Sequence, residues 1–153
     1  SGDGKDRTMN ALATVLVVDD EEVVRQSHLR VLGSAHCCVK AVDDGEQALR
    51  AMEQQPFDLV LLDLRMPGLD GMSLLRTMKR RWPESEVIVI TGYPSVDTAK
   101  ESIRLGAHDY LAKPLAPGEV IEAANRAMTQ KHWALRFEAS GTKVAGVAAC
   151  AAG

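Results

Sequence analysis

Five side chains could act together on a charged group: the carboxylates of Asp19, Asp20 and Asp63, the hydroxyl of Thr91 and the ammonium of Lys113. Taken singly, each has an ordinary explanation. Aspartate is a common turn or capping residue, threonine is frequent in strands, and lysine is usually solvated. Their common position changes the reading, because each falls at or just past the carboxyl end of a short apolar run. The runs are TVLVVD (14–19), DLVLLD (58–63), EVIVIT (86–91) and HDYLA (108–112). In an open parallel sheet, ligands bind beyond those ends. Two like charges about 4 Å apart repel by roughly 4 kcal/mol at an effective dielectric of 20, so crowded carboxylates call for a cation. Hard oxygen donors with no softer ligand nearby point to Mg2+. A carboxylate held there can attack phosphorus and form an acyl phosphate. The transferring group then needs a metal, an ammonium and hydrogen-bond donors around it. The residues alone leave open which carboxylate is the nucleophile.

The elements that must position these groups alternate in type, apolar runs with segments of helical period, the pattern of βα units on a parallel sheet. Strands are expected over 14–19, 36–42, 58–63, 86–91 and 108–112. Helices are expected over about 21–32, through Ala48, Leu49 and Met52, over about 71–80, from the N-cap Ser95 to Leu105, and from Pro117 to about Trp133. Gly33 and Gly106 are placed to end the first and fourth helices. The third run is almost continuously apolar, as a central strand covered on both faces should be. The expected organisation is a loose 1–12 segment, a single α/β domain over 13–134, and a flexible Ala/Gly-rich 135–153 stretch.

Composition narrows the function. The 153 residues carry 18 basic and 21 acidic side chains, a formal charge of −3. That balance gives no electrostatic reason to expect binding of nucleic acid or anionic lipid by this segment. Apolar runs fall far short of the roughly 20 residues that span a bilayer, and the polar start is unlike a signal peptide. The chain opens on Ser1 rather than Met, which suits a processed or recombinant product. Cys37, Cys38 and Cys150 form no C-x-x-C pair and read as small residues of a reducing compartment, not as a disulfide framework or zinc site. His28, His36, His108 and His132 sit in no metal-ligand spacing; His28 falls on the apolar stripe of its helix. No phosphate-binding glycine loop follows the first run, so nucleotide binding is unsupported.

Four segments, VLVVDDEE, DLVLLDLRMPGLDGM, VIVITGY and GAHDYLAKPL, fall in order from about residue 14 to 130, and with them the chain resembles the response-regulator receiver domains of bacterial two-component signalling. The resemblance implies a doubly wound (βα)5 flavodoxin-like fold with strand order 2-1-3-4-5. It implies that Asp63 is the phosphoacceptor. Asp20, Asp63 and the backbone carbonyl of Arg65 would bind Mg2+, and Asp19 would act through a metal-bound water. Lys113 would hold the acyl phosphate, with a cis peptide to Pro114. Thr91 would move toward the phosphoryl group and Tyr110 would rotate into the space it leaves. The domain would be a switch, not a metabolic enzyme, catalysing only its own phosphorylation and dephosphorylation. It would take the phosphoryl group from a sensor histidine kinase or phosphotransfer protein in the cytoplasm. Its output surface, the fourth helix, fifth strand and fifth helix, would serve a homodimer or an output domain, with transcription regulation as one destination.

Two rivals follow from the same residues. A Mg2+-dependent phosphatase of the D-x-D kind would need an acid two residues after Asp63, where Arg65 stands, and a capping insertion that is missing. A receiver that works without phosphorylation would be expected to lack one of the key side chains. The cation of Arg65, beside the phosphoryl position, is expected to modulate phosphoryl lifetime.

Overall fold

The computed structural model describes residues 13–66 and 69–129, with only the backbone of Leu69. The expected loose segments, 1–12 and 135–153, lie outside the described residues. So do His132 and the expected end of the last helix at Trp133. In chain order the elements are β1 (Ala13–Val18), α1 (Glu22–Gly33), β2 (Cys37–Val42), α2 (Gly45–Gln54), β3 (Leu59–Leu62), β4 (Arg65–Met66), β5 (Leu69–Asp70), α3 (Gly71–Arg81), β6 (Glu86–Thr91), α4 (Val96–Arg104), β7 (Asp109–Ala112) and α5 (Pro117–Met128). Five strands pair in parallel in the order β2-β1-β3-β6-β7. This is the doubly wound flavodoxin-like arrangement that the motifs imply.

Alternation along the strands divides the core in two. Val15, Val17, Leu59, Leu61, Ile88 and Ile90 face one way, against Leu32 of α1 and Val120, Ala124 and Met128 of α5. Leu16, Val18, Val60, Leu62, Val87 and Val89 face the other, against Met52 of α2 and Leu74, Leu75 and Met78 of α3. Fully burying one such side chain contributes roughly 1.5–3 kcal/mol, which makes β1, β3 and β6 the rigid centre. Helix α4 differs: its buried residue is Ser102, while Val96 is 69% and Ile103 49% exposed. Little apolar burial fixes it, so a small bias can move it.

Register is pinned at the amino ends of the strands. The Thr14 N–H and hydroxyl both donate to Asp58 Oδ2, at 2.9 and 3.2 Å, and the Asp58 N–H donates to the Thr14 hydroxyl. Asp44, Asp70 and Ser95 cap α2, α3 and α4, each side chain accepting a first-turn N–H. At α5, Glu119 accepts the Ala116 N–H at 2.8 Å.

Two local expectations are corrected, while both expected helix ends hold. Gly33 ends α1 as its last residue, and the positive φ nearby, 67°, falls on His36. Gly106 does take the left-handed position after α4, with φ 111°. The loop after Asp63 contains the hairpin β4–β5, too short to leave any alternation in the sequence. Cys37 is free and buried, its thiol pushed up to about 12 by burial and then by the Asp58 charge. Cys38 is disulfide-bonded, not a plain core thiol.

Candidate functional site

Register brings the strand ends level. Val18 pairs with Leu62, Leu62 with Val89 and Thr91 with Ala112. The ladder runs one step further, with the N–H of Asp63 donating to Val18 and that of Lys113 to Thr91. Asp19, Asp63, Thr91 and Lys113 therefore emerge along one rim, because the apolar cores beneath them hold four strands in step.

At that rim Asp19, Asp20 and Asp63 each offer an oxygen within 4.8 Å of the others. Asp19 and Asp63 are buried and Asp20 is exposed, so the cluster has a closed floor and an open side. Each buried carboxylate is held by the chain that follows it: Asp19 Oδ1 accepts the Glu21 N–H at 2.9 Å, and Asp63 Oδ1 accepts the Arg65 N–H at 3.0 Å. The Arg25 guanidinium reaches back from α1 to the Asp19 carbonyl at 2.8 Å.

Lys113 follows β7, joined to Pro114 by a cis peptide as the motif implies. Its Nζ lies 2.9 Å from Asp19 Oδ2, 2.9 Å from Glu21 Oε1 and 3.2 Å from Asp63 Oδ2. Burial pushes the Asp63 carboxyl up, and the Asp19 charge adds to this; the Arg65 N–H and Lys113 oppose it. Burial alone would lower Lys113, but its hydrogen bonds to Asp19 and Glu21 and the charges of Asp19 and Asp63 outweigh that and raise it. Both shifts are compatible because one ammonium gains from several carboxylates yet cannot neutralise them all. Two charges at the 4.8 Å limit repel by about 3.5 kcal/mol at a dielectric near 20, with solvent reducing the share of exposed Asp20. Carboxylate oxygens around a half-open pocket suit Mg2+, which keeps several waters and takes few protein ligands. The donor set therefore fits that ion.

Thr91 is buried, and its hydroxyl accepts the Tyr93 N–H at 3.1 Å. Tyr110 lies half-buried on the edge strand β7. Its hydroxyl accepts the Ser95 N–H at 3.2 Å and shares a hydrogen bond with the Thr98 hydroxyl, which ties β7 to the first turn of α4. Arg65 is exposed, and its guanidinium stacks 4.2 Å from the centroid of the Tyr93 ring.

All seven residues singled out in the sequence thus stand on or beside this rim. Reasoning from sequence missed Arg25, Tyr93, Ser95 and Thr98 as its neighbours. Tyr93 left only the signal that it follows Thr91 by two residues at the same rim. Leu62 aligns with Val89, which leaves Thr91 one residue further out than Asp63, so the stacking is a contact between loops and not a strand register. Arg25 left none. His28, read as a packed residue, is buried, and its Nδ1 has no hydrogen-bond partner among the described residues.

Residues 15–125 match the model of the response regulator receiver domain family. Among curated proteins, the DNA-binding transcriptional regulator NtrC of Escherichia coli is 36% identical over 115 residues, covering 75% of this chain and 24% of NtrC. The chain thus spans about a quarter of that relative's length. Among solved structures, a CheY-like receiver domain protein from Methanospirillum hungatei superposes with a TM-score of 0.77 at 26% identity, over 80% of this chain and 98% of that one. A response regulator from Burkholderia pseudomallei, solved with a phosphorylated aspartic acid, a calcium ion and citrate, superposes with a TM-score of 0.70 at 29% identity, over 78% and 72%. With the family model spanning most of the chain and the fold and acidic rim agreeing with it, the chain belongs to the response-regulator receiver family.

Proposed function

We propose that this domain accepts a phosphoryl group on Asp63 in a Mg2+-dependent reaction and uses it to reset α4, β7 and α5. The observation that carries the reading is the convergence on one ammonium: Lys113 stands within 3.2 Å of Asp63 and 2.9 Å of Asp19, beside Asp20. Asp20, Asp63 and the Arg65 carbonyl would hold Mg2+, with Asp19 helping through a water, and the ion would supply positive charge for the phosphoryl oxygens. An Asp63 oxygen attacks phosphorus of a phosphohistidine, the P–N bond breaks, and its electron pair returns to the imidazole. Lys113 moves from the carboxylates onto a phosphoryl oxygen. Such charge stabilisation matters most where water is largely excluded, and Asp63 is only 4% exposed.

The acyl phosphate then offers Thr91 a stronger acceptor than its present loop. As the Thr91 hydroxyl turns toward it, space opens for Tyr110. Moving inward, Tyr110 releases Ser95 and Thr98, and thinly packed α4 follows. A ligand shifts such an equilibrium only by its differential contacts with the two states, and the phosphoryl group supplies one through Thr91. The Burkholderia protein with its phosphorylated aspartate supports this chemistry. The match to NtrC supports an output in transcription. The donor would be a histidine kinase or phosphotransfer protein, and α4–β7–α5 would serve a homodimer or output domain. The switch would occupy 13–134 and act in the cytoplasm; no helix among the described residues is long and apolar enough to cross a membrane. A small phosphodonor with Mg2+ and a phosphate-retarding gel test the reading. A shifted band is expected, lost without Mg2+ and in Asp63→Asn. A band that persists in Asp63→Asn would place the chemistry elsewhere.

A further inference from the structure

Lys113 has three N–H donors, and three carboxylates surround it in the structure. Two of those carboxylates have work in the proposed reaction. The third, Glu21, has none. It is the residue before α1, its backbone N–H is fixed by Asp19 Oδ1, and its side chain is 61% exposed while still reaching Lys113 at 2.9 Å. The Glu21 and Asp63 oxygens share one ammonium, so they lie at most about 6 Å apart. A phosphoryl group arriving at Asp63 therefore meets a lysine already engaged and a negative charge at the mouth of the site.

We propose that Glu21 is a built-in competitor for Lys113, holding the ammonium in the resting site and opposing anionic phosphoryl donors by charge. This rests on the phosphoacceptor reading of Asp63. Glu21 acts through Lys113 and is a positioning residue, one that slows the reaction. Its exposure makes it cheap to displace: a phosphoryl group carrying nearly two charges and three acceptor oxygens outbids one solvated carboxylate. Removing its charge should ease entry by an amount set by a Coulomb interaction across about 6 Å of largely aqueous, screened medium, about three- to tenfold for a dianion.

The test compares the native chain with Glu21→Gln, which keeps the shape and removes the charge. Each is measured at saturating Mg2+, since the lost carboxylate also weakens cation attraction. Phosphorylation by dianionic acetyl phosphate should be about three- to tenfold faster in Glu21→Gln, the gain shrinking in about 0.5 M salt. With phosphoramidate, which carries less negative charge, the gain should be smaller. Affinity for beryllofluoride, an anionic stand-in for the phosphoryl group, should rise about threefold or more by titration calorimetry, a readout independent of turnover. Equal or slower phosphorylation of Glu21→Gln with both donors, or a gain insensitive to donor charge and salt, overturns the role of Glu21 and leaves that of Asp63 intact. Failure of both forms to be labelled, with Asp63→Asn no different from either, overturns both.

Discussion

Substituting Gly71 by alanine should damage the fold and the site together. A Cβ at this first residue of α3 would stand 2.6 Å from the Leu64 Cα and 2.9 Å from its carbonyl carbon, and inside contact distance of its oxygen. Carbon atoms meet comfortably at about 3.5–4.0 Å, so the two backbones must part by roughly 1 Å. Neither can yield cheaply: Leu64 follows buried Asp63, and Leu74, Leu75 and Met78 seat α3 in the core. Forced overpacking of this kind costs about 1–3 kcal/mol. In a domain of this size that is a loss of roughly 3–15 °C in Tm. The same displacement disturbs the 3.0 Å contact between the Arg65 N–H and Asp63. Misplacing a reacting group by about 1 Å can slow a reaction on the order of 10²-fold. Gly33→Ala and Gly118→Ala are the controls, because a Cβ at either meets nothing within 4 Å. Helix propensity predicts that both are neutral or stabilising by up to about 1 kcal/mol. Thermal unfolding and the rate of labelling by acetyl phosphate measure both effects. If Gly71→Ala matches Gly118→Ala in Tm and is labelled at the native rate, the steric reasoning is wrong.

Thr98→Val removes a partner of the Tyr110 hydroxyl. If that bond contributes about 1 kcal/mol, the inward population of Tyr110 rises about fivefold without phosphorylation, readable from the ring's NMR signals; unchanged signals would dismiss the latch. Arg65→Ala removes the cation stacked on Tyr93, two residues past the proposed phosphoacceptor, and its dephosphorylation rate should differ from native by at least about twofold, equal rates ending the idea. Burial lowers the His28 pKa from 6.5 and Lys113 adds to this, while Asp19 opposes. Below about 6.5 the unfolded chain therefore takes up a proton that the native state refuses. Stability should fall as pH drops from 6.5 toward the native pKa, by up to about 1.4 kcal/mol per pH unit. Urea titrations should show that slope reduced in His28→Leu; an identical slope would assign it to other groups.

The alternation of apolar runs and helical segments was enough to read βα units on a parallel sheet, because a strand buried on both faces, such as Leu59–Leu62, cannot be written in polar residues; the strand order followed from the likeness of the four motif segments to receiver domains. The rim was legible for a related reason: strands of similar length, held in parallel register, end together, so Asp19, Asp63, Thr91 and Lys113 had to meet. The caps Ser95, Asp44 and Asp70 belong to local chemistry and are visible locally. What lay beyond the sequence depends on contacts between distant segments. Nothing local distinguishes Gly71 from Gly118; only the approach of α3 to Leu64 makes one indispensable. Nor does spacing show that Lys113 would reach Glu21 across 92 residues, or that Tyr110 would bond to Thr98. The sequence determined the strand ends and the charges placed on them. Tertiary packing decided which neighbours those charges found, since side-chain reach is set by the angles at which helices settle on the sheet.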